Sequence, residues 1–274
     1  MQAINRIFDF YIFSNIHVAL ASFCLTKLTL LEYDIESNLV PFFVFFSTVA
    51  SYNFIRLYKV SEIQDWIFNF IKEYKKILIG LTLLSLLIVI YLSFLLEYTA
   101  LIALVPFGLF TLFYVVPIPI KRNNRFDLRS VSFLKLFLIA ISWAGVTVLI
   151  PLLNYDITLR ANEVVIFMQR FLFLVVIAIP FDMRDVKFDS KNLKTLPQVV
   201  GIERSKKLGL LFLLLFLGLE FLKDPIETEE FRSYLLIAVI TLTLLFRATA
   251  HQNKYYSAFF IESLPIVWLL LVVF

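Results

Sequence analysis

Long apolar runs separated by short polar breaks dominate this chain. With about 20 residues as the length of one helical span, nine runs stand out, near 10–31, 39–58, 76–96, 98–117, 131–153, 161–181, 207–222, 233–250 and 256–274. The pattern predicts an all-α fold, a multi-span membrane bundle of nine transmembrane helices around a central cavity, with 1–274 as a single domain. Only Glu97 separates the third run from the fourth, which predicts a tight helical hairpin there. Pro106, Pro151, Pro180 and Pro265 are expected to kink or end their helices. Segment 62–74 reads differently. Ile63, Trp66, Ile67, Phe70, Ile71 and Tyr74 recur at helical spacing, with Glu62, Asp65, Lys72, Glu73 and Lys75 between them. This predicts an amphipathic helix on the cytoplasmic membrane surface, the other reading being an extension of the third span.

Composition sharpens the picture. The chain is 61% hydrophobic with only 17% charged residues, and its mean hydropathy is +0.88. Soluble domains average about 45–50% apolar, so a soluble protein is excluded. The net charge of +4 is spread over several loops, which argues against a nucleic-acid partner. Cys24 is the single cysteine, so neither an internal disulfide nor a cysteine metal site is expected. The first run is read as a retained span, not a signal peptide. Most of the 25 basic residues fall on one side when nine spans alternate from a cytoplasmic N-terminus. The opposite connections are acidic, with Glu32, Asp34 and Glu36, then Glu227, Glu229 and Glu230. This bias predicts N-terminus inside and C-terminus outside.

Candidate chemistry concentrates after the sixth run. Asp182, Asp185 and Asp189 follow Ile179-Pro180-Phe181. At 100° per residue these offsets place all three carboxylates within about a 60° arc of one helix face. An inward carboxylate row suits a divalent cation, most naturally Mg²⁺ held with a phosphate. The other reading is a solvated acidic loop matched by Arg184, Lys187 and Lys191.

Read onward, Arg184-Asp185 and Asp189 lead to Lys194-Thr195-Leu196-Pro197 and Gly201. This resembles the second aspartate motif of the UbiA superfamily of intramembrane prenyltransferases. Nine spans and the Pro119-Ile120-Lys121-Arg122 run resemble that family's layout as well. The resemblance implies transfer of a prenyl group from a polyprenyl diphosphate to an aromatic or lipophilic acceptor, with Mg²⁺ as cofactor and membrane lipid as surroundings. It implies Asp185 and Asp189 as catalytic groups, Asp182, Asp185 and Asp189 as metal ligands, and Lys121, Arg122 and Lys194 as diphosphate clamps. Mg²⁺ and basic clamps fit the chemistry, because an allylic C–O bond breaks with charge building on the departing diphosphate.

The first motif departs from that family. Asn53 stands where the motif begins, but Phe54, Leu57 and Ser61 occupy its acidic positions. Asn53 is expected to support the wall opposite the aspartates. Arg56, one turn on, either contacts phosphate or pairs with Asp182 or Asp185. The degenerate motif keeps a non-catalytic lipid- or partner-binding UbiA-type protein open as an alternative, as it does a terpene cyclase. Asn15 and His17 in the first run and Gln169 and Arg170 in the sixth are expected to satisfy one another inside the bundle, His17 alternatively serving as a base toward an acceptor.

Overall fold

The structure is a computed structural model that describes residues 2–58, 65–115, 118–121, 124–126, 134–187, 193–225 and 228–274. Helix formation follows from the solvent. In hydrocarbon every backbone N–H and C=O must be satisfied within the chain, and a helix does this locally. Among the described residues, each of the nine apolar runs is helical over most of its length.

The first run is bent. α1 (Gln2–Phe13) and α2 (Ile16–Leu31) meet at 55°. Between them Asn15 takes a left-handed conformation with φ 66°, one of the few side chains that tolerate it. α2 is buried on all but one face, where Ile16, Leu20, Phe23, Lys27 and Leu31 are half-buried, and its hydroxyls turn back onto the helix: Ser22 Oγ donates to Ala19 O at 2.8 Å and Thr26 Oγ1 to Ser22 O at 2.9 Å. α3 (Leu39–Tyr58) packs against α2 and against α4 (Asp65–Ser93). α4 is continuous, so residues 65–74 run unbroken into the third apolar run. Phe70, Ile71 and Leu78 bury its inner side against Ile12 and Phe13, while Leu83, Leu87 and Ile90 stay exposed as a lipid-facing surface.

α5 (Tyr98–Val115) leads to a small antiparallel hairpin, β1 (Ile118–Lys121) with β2 (Asn124–Phe126), the one strand pair among the described residues. α6 (Leu134–Ala144) widens into a π-helical turn at Gly145–Leu149 before α7 (Ile150–Asn154). Gly145 is required there, because a Cβ would overlap the Phe107 ring of α5. α8 (Ala161–Asp185) is the longest central helix. α9 (Leu196–Val200) and α10 (Ile202–Gly218) follow, then a 3₁₀ turn at Leu219–Leu222 and α11 (Thr228–Arg247). A second π-helical turn at Tyr256–Ile261 precedes α12 (Leu264–Val273).

The main core lies where α8, α10, α11 and α12 meet. Phe173 and Tyr234 approach Trp268 with ring centres at 5.0 and 5.1 Å, both edge-on, the arrangement ring quadrupoles favour. Gly209 lets α10 come close. A Cβ there would collide with Leu245 and lie 3.3 Å from Ile179 Cδ1.

Among the described residues, five helical stretches are long and apolar enough to cross a membrane, and the bent α1–α2 pair makes a sixth. α5, α10 and α11 are shorter in apolar length or richer in polar groups, so length and apolarity alone do not reach nine. The protein is an integral membrane protein.

Candidate functional site

The site lies at the carboxyl end of α8. Pro180 lacks the N–H that a helix interior uses, yet α8 continues to Asp185. A neighbouring loop docks against the helix there: Gln252 Nε2 donates to Pro180 O at 2.7 Å and to Ser257 Oγ at 2.7 Å. Asp182 is buried and Asp185 half-buried. Arg184 grips its neighbour with two parallel bonds, Nε to Asp185 Oδ1 at 2.8 Å and Nη2 to Oδ2 at 3.0 Å, the forked geometry that guanidinium and carboxylate favour.

Opposite stands the end of α3. Asn53 is buried and accepts from Asn15 Nδ2 at 2.7 Å through its Oδ1. One turn on, Arg56 Nη1 donates to Phe13 O at 2.6 Å. Helix ends leave carbonyls without intrahelical partners, and Phe13 closes α1. Asn53 and Arg56 therefore pin the α1–α2 bend from the neighbouring helix. Arg184, adjacent in sequence, reaches Asp185 without spanning the cavity.

Between these walls lies a cavity with two adjoining lobes. One, of about 290 Å³, is bordered by Arg56, Arg184, Glu262, Tyr52, Trp66 and Phe181. The other, of about 240 Å³, is bordered by Asp182, Asp185, Glu262, Tyr52, Trp143 and Leu174. A smaller space of about 110 Å³ continues past Tyr52 and Trp143, lined by hydroxyls including Ser22, Thr48, Ser142 and Thr147. Its Thr147 comes from the first π-helical turn. Such turns insert an extra residue and re-aim side chains, often at functional sites.

Glu262 escaped the sequence reading. It follows the second π-helical turn and borders both lobes. Arg56 and Arg184 border the first of these lobes with it. Its signal was present: it is the one acidic or basic residue inside the last apolar run, and intramembrane charges mark sites by default.

The structure thus brings together Asp182, Asp185 and Arg56, with Arg184 and Glu262 added. Asn53 lies behind the wall. α8 ends at Asp185, so the one-face spacing applies to the first two aspartates, and Asp189 lies outside the described residues, as does Arg122. Lys121 sits on β1 and its side chain is also outside them. Lys194 is exposed on the turn before α9, with φ 43°. The Lys-Thr-Leu-Pro run has a local structural reason: Thr195 N–H donates to Gln198 Oε1 at 3.1 Å, Pro197 sits in the first turn of α9, and Gly201 ends it with φ 85°. Among the described residues, no three His, Cys, Asp or Glu side chains are grouped to hold a metal ion. His17 is held at both ring nitrogens, by Tyr11 Oη at 2.8 Å and Phe259 O at 3.1 Å, a structural role.

Comparison with known proteins places this arrangement. No family model matches the chain, and no curated protein matches it. The solved structure of a UbiA homolog from Archaeoglobus fulgidus bound to GPP and Mg²⁺ superposes with a TM-score of 0.62, over 96% of this chain and 94% of that one, at 13% identity. The chain has the UbiA fold. In this UbiA-fold bundle the cavity, with acids on α8 and cations on α3 and α8, opens beside the polar end of the helices. At 13% identity the likeness carries the fold alone, and chemistry has to be argued from the site.

Proposed function

We propose that the protein is a UbiA-like intramembrane transferase. It moves a prenyl group from a prenyl diphosphate to a lipophilic acceptor, with Mg²⁺ required. The observation that supports this most is the composition of one cavity. Asp182, Asp185, Arg56 and Arg184 border it together with Tyr52, Trp66, Trp143 and Phe181, so a polar anion-binding wall adjoins an aromatic, apolar space. A diphosphate joined to a hydrocarbon chain has the same two-part character. The structurally similar archaeal protein was bound to GPP and Mg²⁺.

The donor set suits one Mg²⁺ better than two. Asp182 and Asp185 lie one turn apart on α8, and Asp189 supplies a third carboxylate. With Phe54 and Leu57 at the first-motif positions, the α3 wall offers no acids. When bound, Mg²⁺ supplies charge neutralisation for the departing diphosphate. Both Asp185 oxygens accept from Arg184, so Arg184 turns from carboxylate to phosphate as the donor enters. Arg56 and Arg184 hold phosphate oxygens through planar N–H donors, with Lys121, Arg122 and Lys194 completing the clamp. Tyr52, Trp143 and Phe181 shield the allylic carbon from water and present ring faces to its developing positive charge. Nine spans, the C-terminus outside and the cavity's polar end facing the cytoplasm complete the reading, motivated by the basic residues of the connections at that end.

A second reading, a lipid- or partner-binding protein without turnover, is favoured by the same Arg184–Asp185 closure and by Asn53 being engaged with Asn15. Purified protein given geranyl diphosphate, Mg²⁺ and an extract of its native membranes separates the two. Release of pyrophosphate that stops on chelation of Mg²⁺ is the expected result. Mg²⁺-dependent binding with no pyrophosphate released across a broad acceptor panel supports the non-catalytic reading.

A further inference from the structure

We propose that the hydroxyl-lined recess beyond Tyr52 and Trp143 seats the head group of the acceptor, and that this head group is an uncharged hydroxyl, as in a phenol or an alcohol, that donates a hydrogen bond. The inference rests on the transferase reading above and names the class of molecule that receives the chain.

Three observations converge. First, the recess is polar but carries no charge. Ser22, Ser47, Thr48, Ser51, Ser142 and Thr147 border it with Tyr52 and Trp143, and no acidic or basic side chain does. A carboxylate placed there meets no cation, and burying an unpaired charge is far costlier than burying a hydrogen-bonded hydroxyl. Second, the protons of three of these hydroxyls are already spent. Each hydroxyl has one proton and two lone pairs. Thr48 Oγ1 donates to Val44 O at 2.8 Å and Thr147 Oγ1 to Trp143 O at 2.7 Å, each a carbonyl one turn back. Ser22 Oγ lies 2.8 Å from Ala19 O and 2.9 Å from Thr48 Oγ1. Ser22 and Thr48 therefore share two protons among three contacts, and neither keeps one for a ligand. Their lone pairs remain, and lone pairs call for a donor. Third, Ser47 Oγ is buried without a partner. Ser47 and Thr48 lie midway along the span Leu39–Tyr58, and an orphaned oxygen at that depth needs a polar occupant. Its proton is available to the oxygen of the same ligand hydroxyl.

Size and position agree. The recess holds about 110 Å³, where one water needs roughly 10–15 Å³, so it admits a hydroxyl with the carbons that carry it. The Tyr52 and Trp143 rings meet edge-on with centres 6.2 Å apart, and both residues border the recess and both lobes. A head group in the recess therefore lays its body beside these rings. The rest of the molecule extends into the lobe that Asp182 and Asp185 border.

Three probes of matched shape test this at pH 7 on the purified protein in phosphatidylcholine nanodiscs. Saturable binding of radiolabelled 4-octylphenol is measured, with its methyl ether and 4-octylbenzoate as competitors. The ether cannot donate and the benzoate is charged. Each should compete about 10-fold more weakly than unlabelled phenol, the size of a hydrogen bond lost with its buried partner left unpaired. Thr48→Val and Thr147→Val keep the shape and remove the lone pairs. Both should lower phenol affinity about 3- to 10-fold and narrow its preference over the ether. Thr48→Ser should retain the parent's affinity, which separates loss of the hydroxyl from a folding defect. Binding of geranyl diphosphate with Mg²⁺ is measured on the same samples. Equal competition by phenol and ether, or phenol affinity unchanged by both valine variants, overturns the proposal. Mg²⁺-dependent geranyl diphosphate binding without saturable phenol binding makes the recess a site for water only and leaves the transferase reading standing. Phenol binding as expected, in a protein that binds no geranyl diphosphate, overturns both the acceptor role and the transferase reading.

Discussion

Two polar clusters sit at opposite ends of this bundle, and they behave differently. At the end away from the cavity, Glu220 is fully buried and accepts from Gln169 Nε2 at 2.8 Å, while Lys223 Nζ lies 3.3 Å from Glu220 and 3.2 Å from Glu230. Tyr234 Oη donates to Glu32 Oε1 at 2.6 Å, and the Arg170 guanidinium stacks 5.0 Å above Trp268. Charges there meet charges within a packed aromatic core. At the other end Asp182, Asp185, Arg56, Arg184 and Glu262 border open space of 290 and 240 Å³. Intramembrane charge by itself therefore does not mark a site. Charge beside unfilled volume does.

The comparison can be broken at its structural end first. Lys223→Met leaves Glu220 buried without its cation. Removing one partner of a buried pair costs about 3–5 kcal/mol, so thermal unfolding in detergent should fall sharply while donor affinity per folded molecule holds. A matching loss of affinity would mean that the two ends are not independent.

Arg56 belongs to both structure and site, and its removal should show both. Arg56→Ala deletes a charged hydrogen bond to Phe13 O, worth about 1.5–3 kcal/mol, and also a cavity cation. Lower melting together with weaker diphosphate binding is expected. Lower melting with full binding would confine Arg56 to the α1–α2 bend.

Packing gives the next effect. Gly145→Ala drives a Cβ into the Phe107 ring, and overpacking of this kind costs about 1–3 kcal/mol. Because Gly145 opens the π-helical turn that carries Thr147, crosslinking or fluorescence of Trp143 should also report a changed cavity wall. An unchanged melting point would show that α5 yields freely there.

The smallest effect is one of pH. Burial lowers the proton affinity of Lys223, but Glu32, Glu230 and Glu220 outweigh it, and its pKa lies above the ordinary 10.5. The folded state binds this proton more tightly than the unfolded one. Its contribution is therefore complete below pH 10.5 and is lost as pH rises through the folded value. Melting points of the parent should decline above pH 10.5 more than those of Lys223→Met.

Much of the fold was legible because the bilayer imposes one rule on every apolar run. The failures are local. The break at Asn15 carries no proline or glycine, and it depends on Asn53 and Arg56 from α3, a tertiary cause. Pro180 was expected to kink or end its helix, and α8 continues past it to Asp185, where Gln252, 72 residues away, bonds its carbonyl. Residues 65–74, whose amphipathic pattern also allowed an extension of the third span, continue into the third apolar run as one helix. In the site, Asp182 and Asp185 were legible from spacing, since one turn separates them. Arg184 was read only as a surface counter-charge, because its wrap back onto Asp185 needs coordinates. Glu262 was overlooked because it stands alone in its run, and the arginines that border its lobe lie on α3 and α8.

The central claim is that the α8 aspartates form a Mg²⁺-dependent diphosphate site. The most direct test is thermal stability of purified protein with geranylgeranyl diphosphate, with and without Mg²⁺, for the parent and for Asp185→Asn combined with Asp189→Asn. Ligand at 100 times its dissociation constant stabilises by about 2.7 kcal/mol. The account predicts that gain for the parent with Mg²⁺ alone and its disappearance in the double variant. A double variant stabilised as fully as the parent would contradict it.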